Sequence, residues 1–472
     1  MDLLITSPTG FSKERQYVCD VILKDWFGLD YRLVQSDRKD VCISLDEHSG
    51  EVCLPDSFFG QFESDANLWL DPKSLPVHAL VSWDVAELSS LIAITSPILP
   101  VIYGSSQPTR SFSRNNSGAG NRIALPIDIF GSAFFMLSRY EEFATSVRDA
   151  HSRFSSDLSF ALRAGVLMRP IVDEYVEVLW FALVEIWPQL KRKEHVSQTI
   201  VSCDVDRPFS HAGDLATSMR RIGGDILKRK SLVDAYESIA GSLRFRKRDY
   251  RGDKFRDAIS KIMDLNERAG RSVAFNVIPE VSHSKYDQAT NLRHPGMRAL
   301  LSEIKERGHE VGIHPGYGTC DNEDAMASSF DVLRGELELA GMPSLTLGGR
   351  QHYLRWNERV TPILLEKNGM SYDSTLGFAD RPGFRCGTCR EFSLFDMKSR
   401  RALSLRERPL IVMECSVISR NYMGLGYTDE ALEVMLGLKE ACELMSGNFV
   451  LLWHNSHLTS ADDLSFYTKL VA

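Results

Sequence analysis

The chain has 472 residues, 43% hydrophobic and 25% charged, with a formal net charge of -8, which fits an ordinary globular protein with room for more than one core. The negative balance argues against a nucleic-acid binder, and no apolar run approaches the roughly 18 residues needed to span a bilayer. Met1-Asp2-Leu3-Leu4 lacks the basic and apolar regions of a secretory signal, and nine cysteines in such a chain point to reduced thiols in the cytoplasm rather than a disulfide framework.

Residues 1–195 read as a smaller mixed α/β domain of unknown role. Strands are expected at 31–34, 41–45 and 52–54, followed by a Ser-, Gly- and Asn-rich loop over 105–121 and helices over 130–143 and 171–186. The basic run Lys191-Arg192-Lys193 marks the junction. From 196 to 472 strand-like runs alternate with helical segments at 255–269, 296–307, 323–340, 358–368 and 429–445, so parallel strands covered by helices are expected, in a barrel or a doubly wound sheet. One interruption, 219–256, carries twelve Lys or Arg against five Asp or Glu. It reads either as a solvated helical insertion or as a patch for an acidic sugar polymer or an anionic membrane surface.

The strand-like runs end in residues that can do chemistry. Val196 to Cys203 meets Asp204-Val205-Asp206, Val273 to Phe275 meets Asn276, and Val311 to Ile313 meets His314. Leu345 to Leu347 leads through two glycines to Arg350-Gln351-His352, Leu410 to Met413 meets Glu414, and Phe449 to Trp453 meets His454. Strand C-termini in a (β/α) barrel line one mouth, so these side chains are expected to converge. Asp204 and Asp206 alternate along a strand and share a face, which suits one carboxylate to bind a cation and the other to take a proton. A helix cap or turn before Pro208 is the plainer alternative. His314 at a strand end suits a neutral nitrogen ligand, Arg350 can orient a carboxylate through its fork, and His454 can protonate a leaving amine. Cys386-Gly387-Thr388-Cys389 has no second C-x-x-C to complete a zinc site, and its setting is loop-like.

Together, Asp204/Asp206, Gly308 to His314, Gly349-Arg350 and Leu451 to His454 resemble, in order, the motifs of the polysaccharide deacetylase family of carbohydrate esterases. The segments Gly369 to Thr375, Asp380 to Arg385 and Phe130 to Glu142 are similar to a divergent branch with an extra N-terminal domain. The resemblance implies an α/β protein whose C-terminal half, 196–472, is a distorted (β/α) barrel. It implies metal-dependent hydrolysis of an N-acetyl or other N-acyl group from an amino sugar. Asp204 would be the base held by Arg350, His454 the acid steadied by Asp373, and Asp206 with His314 the metal ligands. The metal expected is a divalent ion, Zn2+ foremost. Tyr317, Arg385 and Trp453 are the expected substrate contacts, with a backbone N–H near Tyr317 stabilising the oxyanion and Arg385 meeting a substrate carboxylate.

One position departs from the pattern. The family places a second histidine ligand four residues after the first, and Gly318 stands there. His352 is the candidate substitute, with packing or substrate binding as its alternative role. A cytoplasmic location, at or near the inner membrane surface, makes a nucleotide- or lipid-linked glycan precursor the expected partner. A deformylase or another amide hydrolase fits the same residues, and a non-catalytic glycan-binding or scaffolding member is the rival of a different class.

Overall fold

A computed structural model describes residues 2–76, 80–105, 113–115, 121–212, 219, 232–342 and 347–472. Eight strands precede residue 195: β1 (Leu3–Ser7), β2 (Tyr31–Gln35), β3 (Asp40–Leu45), β4 (His48–Pro55), β5 (Val81–Asp84), β6 (Ile98–Val101), β7 (Ser113–Asn115) and β8 (Arg122–Ala124). Six form a mixed sheet in the order β2-β1-β3-β4-β8-β7, and β5 and β6 form a separate antiparallel pair. Much of the loop expected over 105–121 lies outside the described residues, but β7 sits within it. The helix expected over 130–143 is two helices, Ile129–Leu137 and Tyr140–Ala144, broken where Arg139 turns left-handed at φ 55.

The remaining strands are β9 (Gln198–Val205), β10 (Val273–Val277), β11 (Glu310–Ile313), β12 (Leu347–Gly349), β13 (Met370–Asp373), β14 (Phe392–Asp396), β15 (Arg401–Glu407), β16 (Val412–Met413) and β17 (Asn448–Leu452). They build one sheet in the order β14-β15-β13-β12-β11-β10-β9-β17-β16. Every neighbouring pair is parallel except β14 with β15. Among the described residues β14 and β16 do not pair, so the expected barrel is an open sheet. The segment between β13 and β14 reaches the β16 side of this break, where the Gly383 N–H donates to Ile411 O.

Helix Lys254–Arg268 shows why the covering elements form. Asp253 caps its start by accepting from the Phe255 and Arg256 N–H groups, and Phe255, Ala258, Ile259, Ile262 and Met263 recur at helical spacing on its buried face. Thr428 caps Asp429–Leu444, and a reciprocal Ser460–Asp463 capping box opens Ala461–Val471. Of the basic insertion, 220–231 lies outside the described residues; helix Leu232–Arg246 carries Arg244 and Arg246 in its last turn. No described helix is long and apolar enough to cross a membrane.

The two sheets share no strand, yet the chain before residue 195 packs on the rest through buried charge. Glu142 accepts from Arg385 Nε and Nη2 at 3.0 and 2.7 Å and from Arg139 Nε at 2.8 Å, with all three side chains buried. Burial would raise the Glu142 carboxyl, but Arg385 and Arg139 bring it down to about 2. Asp173 similarly accepts from Thr388 Oγ1, Cys389 N and Arg390 Nε. These contacts cap the open edge of the large sheet. The expectation that every cysteine is a free thiol is corrected, since Cys42 and Cys53 face each other across β3 and β4 and form a disulfide. The other seven are free, and burial pushes the Cys386 thiol up to about 12, which leaves the C-x-x-C pair unreactive. Removing one partner of a buried pair strands the other's charge, so Glu142→Ala is expected to cost about 3–5 kcal/mol in urea unfolding.

Candidate metal centre and active site

Parallel register brings the strand ends together. Asn276 on β10 stands opposite Asp204 on β9 and Gly312 on β11, Ile313 opposite Gly349, Gly349 opposite Asp373, and Leu452 on β17 opposite Ser202 and Met413. Two glycines make this crowding possible. A Cβ on Gly312 would lie 2.1 Å from Asn276 Oδ1, and one on Gly349 would lie 1.9 Å from Ile313 O. The side chains at the strand ends then surround a cavity of about 330 Å³ lined by Asp204, Asp206, His314, His352, Tyr353, His454 and Arg153 among others.

Asp204 is buried and its Oδ1 accepts from Arg350 Nη1 at 2.9 Å and from Asn276 Nδ2 at 2.7 Å. Arg350 is wholly buried and donates also to Ser202 Oγ, Ser374 O and Ser374 Oγ. Burial works to raise the Asp204 carboxyl; Arg350, then His314, more than offset this and hold it below its ordinary value. It is an ionised acceptor in a dry setting.

Beside it, Asp206 Oδ1 is buried and has no hydrogen-bond partner, although His314 Nε2 is 3.3 Å away and His352 Nε2 3.6 Å away. The outer nitrogens explain which way these imidazoles face. His314 Nδ1 meets the Arg350 carbonyl at 2.6 Å, and His352 Nδ1 meets Asp287 Oδ1 at 2.8 Å. Both partners are acceptors, so both Nδ1 atoms carry a proton and both Nε2 atoms face Asp206, where a cation could take the place of any Nε2 proton. One carboxylate oxygen and two imidazole nitrogens, at separations near the roughly 3.0–3.5 Å edges of a zinc-sized coordination shell, fit a divalent cation. The donor set fits Zn2+ or a similar ion, with Asp206, His314 and His352 as the holders.

Position 318 shows why the ligand set differs from the pattern. Gly318 donates its N–H to Ser282 Oγ, and a Cβ there would meet Ser282 O at 3.2 Å. His352 arrives from the next strand instead, on a strained turn in which Tyr353 and Leu354 are both left-handed at φ 63 and 51. Arg153 clamps that turn by donating from Nη1 to Tyr353 O.

Several expected roles are corrected. Asp373 does not steady His454; its carboxylate is taken by Thr375 N and Oγ1 and lies against Glu407, whose carboxyl burial and Asp373 push well above the usual range. The carboxylate on His454 is Glu414, whose Oε1 is 2.6 Å from Nδ1 and also accepts the His454 N–H. Burial works against charge on His454, and Glu414 overcomes it, holding the imidazole protonated well above its ordinary range. His454 Nε2 stands 4.0 Å from Asp206 Oδ2. Arg385 cannot meet substrate, being buried and spent on Glu142 and Gly377 O. Trp453 is buried and donates to His457 O, so it packs rather than binds. The Tyr317 N–H is taken by Asp287 Oδ1, which removes it as an oxyanion donor. Its ring stays at the rim, stacked on Tyr286 at 4.2 Å and joined by His151 and Tyr353.

Asp287, Glu414 and Arg153 are the residues missed. Glu414 stood at a strand end with the right chemistry, whereas Asp287 and Arg153 lie in irregular segments with no spacing to mark them.

Residues 3–188 match a family of unknown function, DUF7033. No curated protein matches the chain. Solved structures similar to it include a protein described as a polysaccharide deacetylase from Mycobacterium smegmatis, 18% identical over 59% of this chain and 84% of that one, with a TM-score of 0.37. The Puue allantoinase is 12% identical over 59% and 87%, with a TM-score of 0.36. A polysaccharide deacetylase from Pseudomonas aeruginosa PAO1, described as probable, is 9% identical over 59% and 87%, with a TM-score of 0.35.

In the metal-free site burial lowers the His352 pKa while Asp206 and Asp287 raise it, with a net rise to about 9. A cation needs the Nε2 lone pair, so binding displaces that proton. Zinc affinity is therefore expected to climb from pH 6 toward about 9 and flatten above it, by metal titration in weakly coordinating buffers. His352→Ala should lose metal more than about tenfold, as should Asp206→Ala. Retention of metal by the His352 variant alone would remove it from the ligand set.

Proposed function

We propose that the protein is a metal-dependent hydrolase that removes an N-acyl group, acetyl foremost, from an amino sugar. One observation carries this reading: two imidazoles with locked outer nitrogens point Nε2 at an unpartnered Asp206 oxygen, between an ionised buried carboxylate and a protonated histidine. That is the equipment for amide hydrolysis, which needs a base for water, an acid for the amine and charge stabilisation between them.

A divalent cation held by Asp206, His314 and His352 would supply a Lewis acid for the acyl oxygen and acidify the attacking water. Asp204, oriented through Oδ1 by Arg350 and Asn276, accepts the proton of that water. His454 donates from Nε2 to the departing amine, while Glu414 holds Nδ1–H and balances the imidazolium. Tyr353, Tyr422, Met413 and Leu354 give the cavity a largely apolar wall beside the reacting atoms. The aromatic group of His151, Tyr286, Tyr317 and Tyr353 at the rim suits the apolar face of a sugar ring.

The proposed substrate is a nucleotide- or lipid-linked glycan precursor on the cytoplasmic side of the membrane, as in assembly of a lipopolysaccharide or capsule. The basic stretch Arg244, Arg246, Lys247 and Arg248 is proposed as its peripheral membrane contact. A formyl group on the same amine would meet the same machinery.

Turnover of N-acylated sugar precursors should fall more than about 100-fold in Asp204→Asn with metal content unchanged; full activity in that variant would end this reading. Removing the charge behind the acid should lower the His454 pKa. The alkaline limb of kcat/KM is thus expected to move to lower pH in Glu414→Gln.

A further inference from the structure

A second group of donors stands behind the acid. Glu414, at the start of the short helix Glu414–Ile418, places Oε1 2.6 Å from His454 Nδ1 and 2.9 Å from His457 Nδ1. Cys415 Sγ is 3.1 Å from His457 Nδ1 and 3.5 Å from the same Glu414 oxygen. The four donor atoms all lie within 4.8 Å of one another, so small side-chain shifts would bring them to the roughly 3.3–3.8 Å edges of a tetrahedron around a zinc-sized ion with nitrogen, oxygen and sulfur ligands.

The hydrogen bonding here is unbalanced in a way that a cation would relieve. Three side-chain donors converge on Glu414 Oε1, while Oε2 of the same buried carboxylate has no partner. A buried oxygen left without a partner is costly, and two imidazoles and a thiol sharing one oxygen cannot all make good bonds. The cluster is also reachable, because Cys415 is partly exposed, the His457 side chain is 45% exposed and both line the catalytic cavity.

We propose that Cys415, His457, Glu414 and His454 Nδ1 form a second metal site, selective for thiophilic divalent ions such as zinc or cadmium. It is separate from the Asp206, His314 and His352 set, which contains no sulfur and suits a broader range of ions. Binding releases the thiol proton and the two Nδ1 protons, and the cation takes the place of the hydrogen bonds now made to Glu414. His454 stands between the two, with Nδ1 in the second site and Nε2 4.0 Å from Asp206 Oδ2 of the first. On the hydrolase reading above, filling the second site replaces Nδ1–H with the cation, so the Nε2 proton is no longer that of an imidazolium held by Glu414, and excess metal inhibits.

Cobalt or cadmium titration of the full chain, followed by thiolate-to-metal charge-transfer absorbance and bound-metal analysis, tests the site without any substrate. Wild type should take up one more equivalent per chain than Cys415→Ser, and the thiolate band should accompany only that equivalent. The band should persist in Asp206→Ala, and His457→Gln should weaken the second equivalent by more than about tenfold. Equal uptake by wild type and Cys415→Ser with no thiolate band, in protein that melts as wild type does, would overturn the proposal. So would a band that survives both Cys415→Ser and His457→Gln. Both outcomes are independent of whether the protein hydrolyses an amide.

Discussion

A guanidinium with no exposed surface sits at the centre of the large sheet, and the site is organised around it. Arg350 donates to Asp204, Ser202 and both the carbonyl and hydroxyl of Ser374, so one side chain ties the ends of β9, β12 and β13 together. An unpaired charge at that depth would be prohibitive, and its pairing is what allows Asp204 to be buried and ionised at once. Its backbone carbonyl does a second job by fixing the tautomer of His314. The Asp204 carboxylate and the His314 imidazole are therefore set by opposite ends of one residue.

Histidine chemistry in the cavity is decided by what stands behind each ring. Behind His314 is a carbonyl, which is neutral and leaves an ordinary ligand. Behind His352 is the Asp287 carboxylate, a stronger acceptor that makes the facing nitrogen a better donor to a cation. The ring of His454 is backed by Glu414, and the carboxylate there stabilises a full imidazolium. Three chemically identical side chains are given different settings by partners that face away from the cavity.

The chain before residue 195 contributes to this arrangement as well as packing beside it. Arg153 holds the left-handed turn that delivers His352, His151 meets the Tyr317 hydroxyl, and Glu142 neutralises Arg385 under the open side of the sheet. The large sheet stays open between β14 and β16, and the buried Glu142 contacts join the chain before residue 195 to the segment that links β13 and β14.

The order of elements, the parallel sheet and the set of strand-end residues were legible in the sequence, because apolar runs ending in polar residues carry their period and register locally. Asp204, Asp206, His314, Arg350 and His454 could be named from that pattern alone. The family resemblance also marked Gly318 as the place where a second histidine was expected. What only the tertiary structure decided was partnership. Glu414 rather than Asp373 backs His454, Asp287 rather than solvent backs His352, and Arg385 meets Glu142 rather than substrate, although 243 residues separate that last pair in the chain. A charged side chain must find its counter-charge wherever folding has buried it, and that place is fixed by how sheets and loops pack rather than by spacing along the chain.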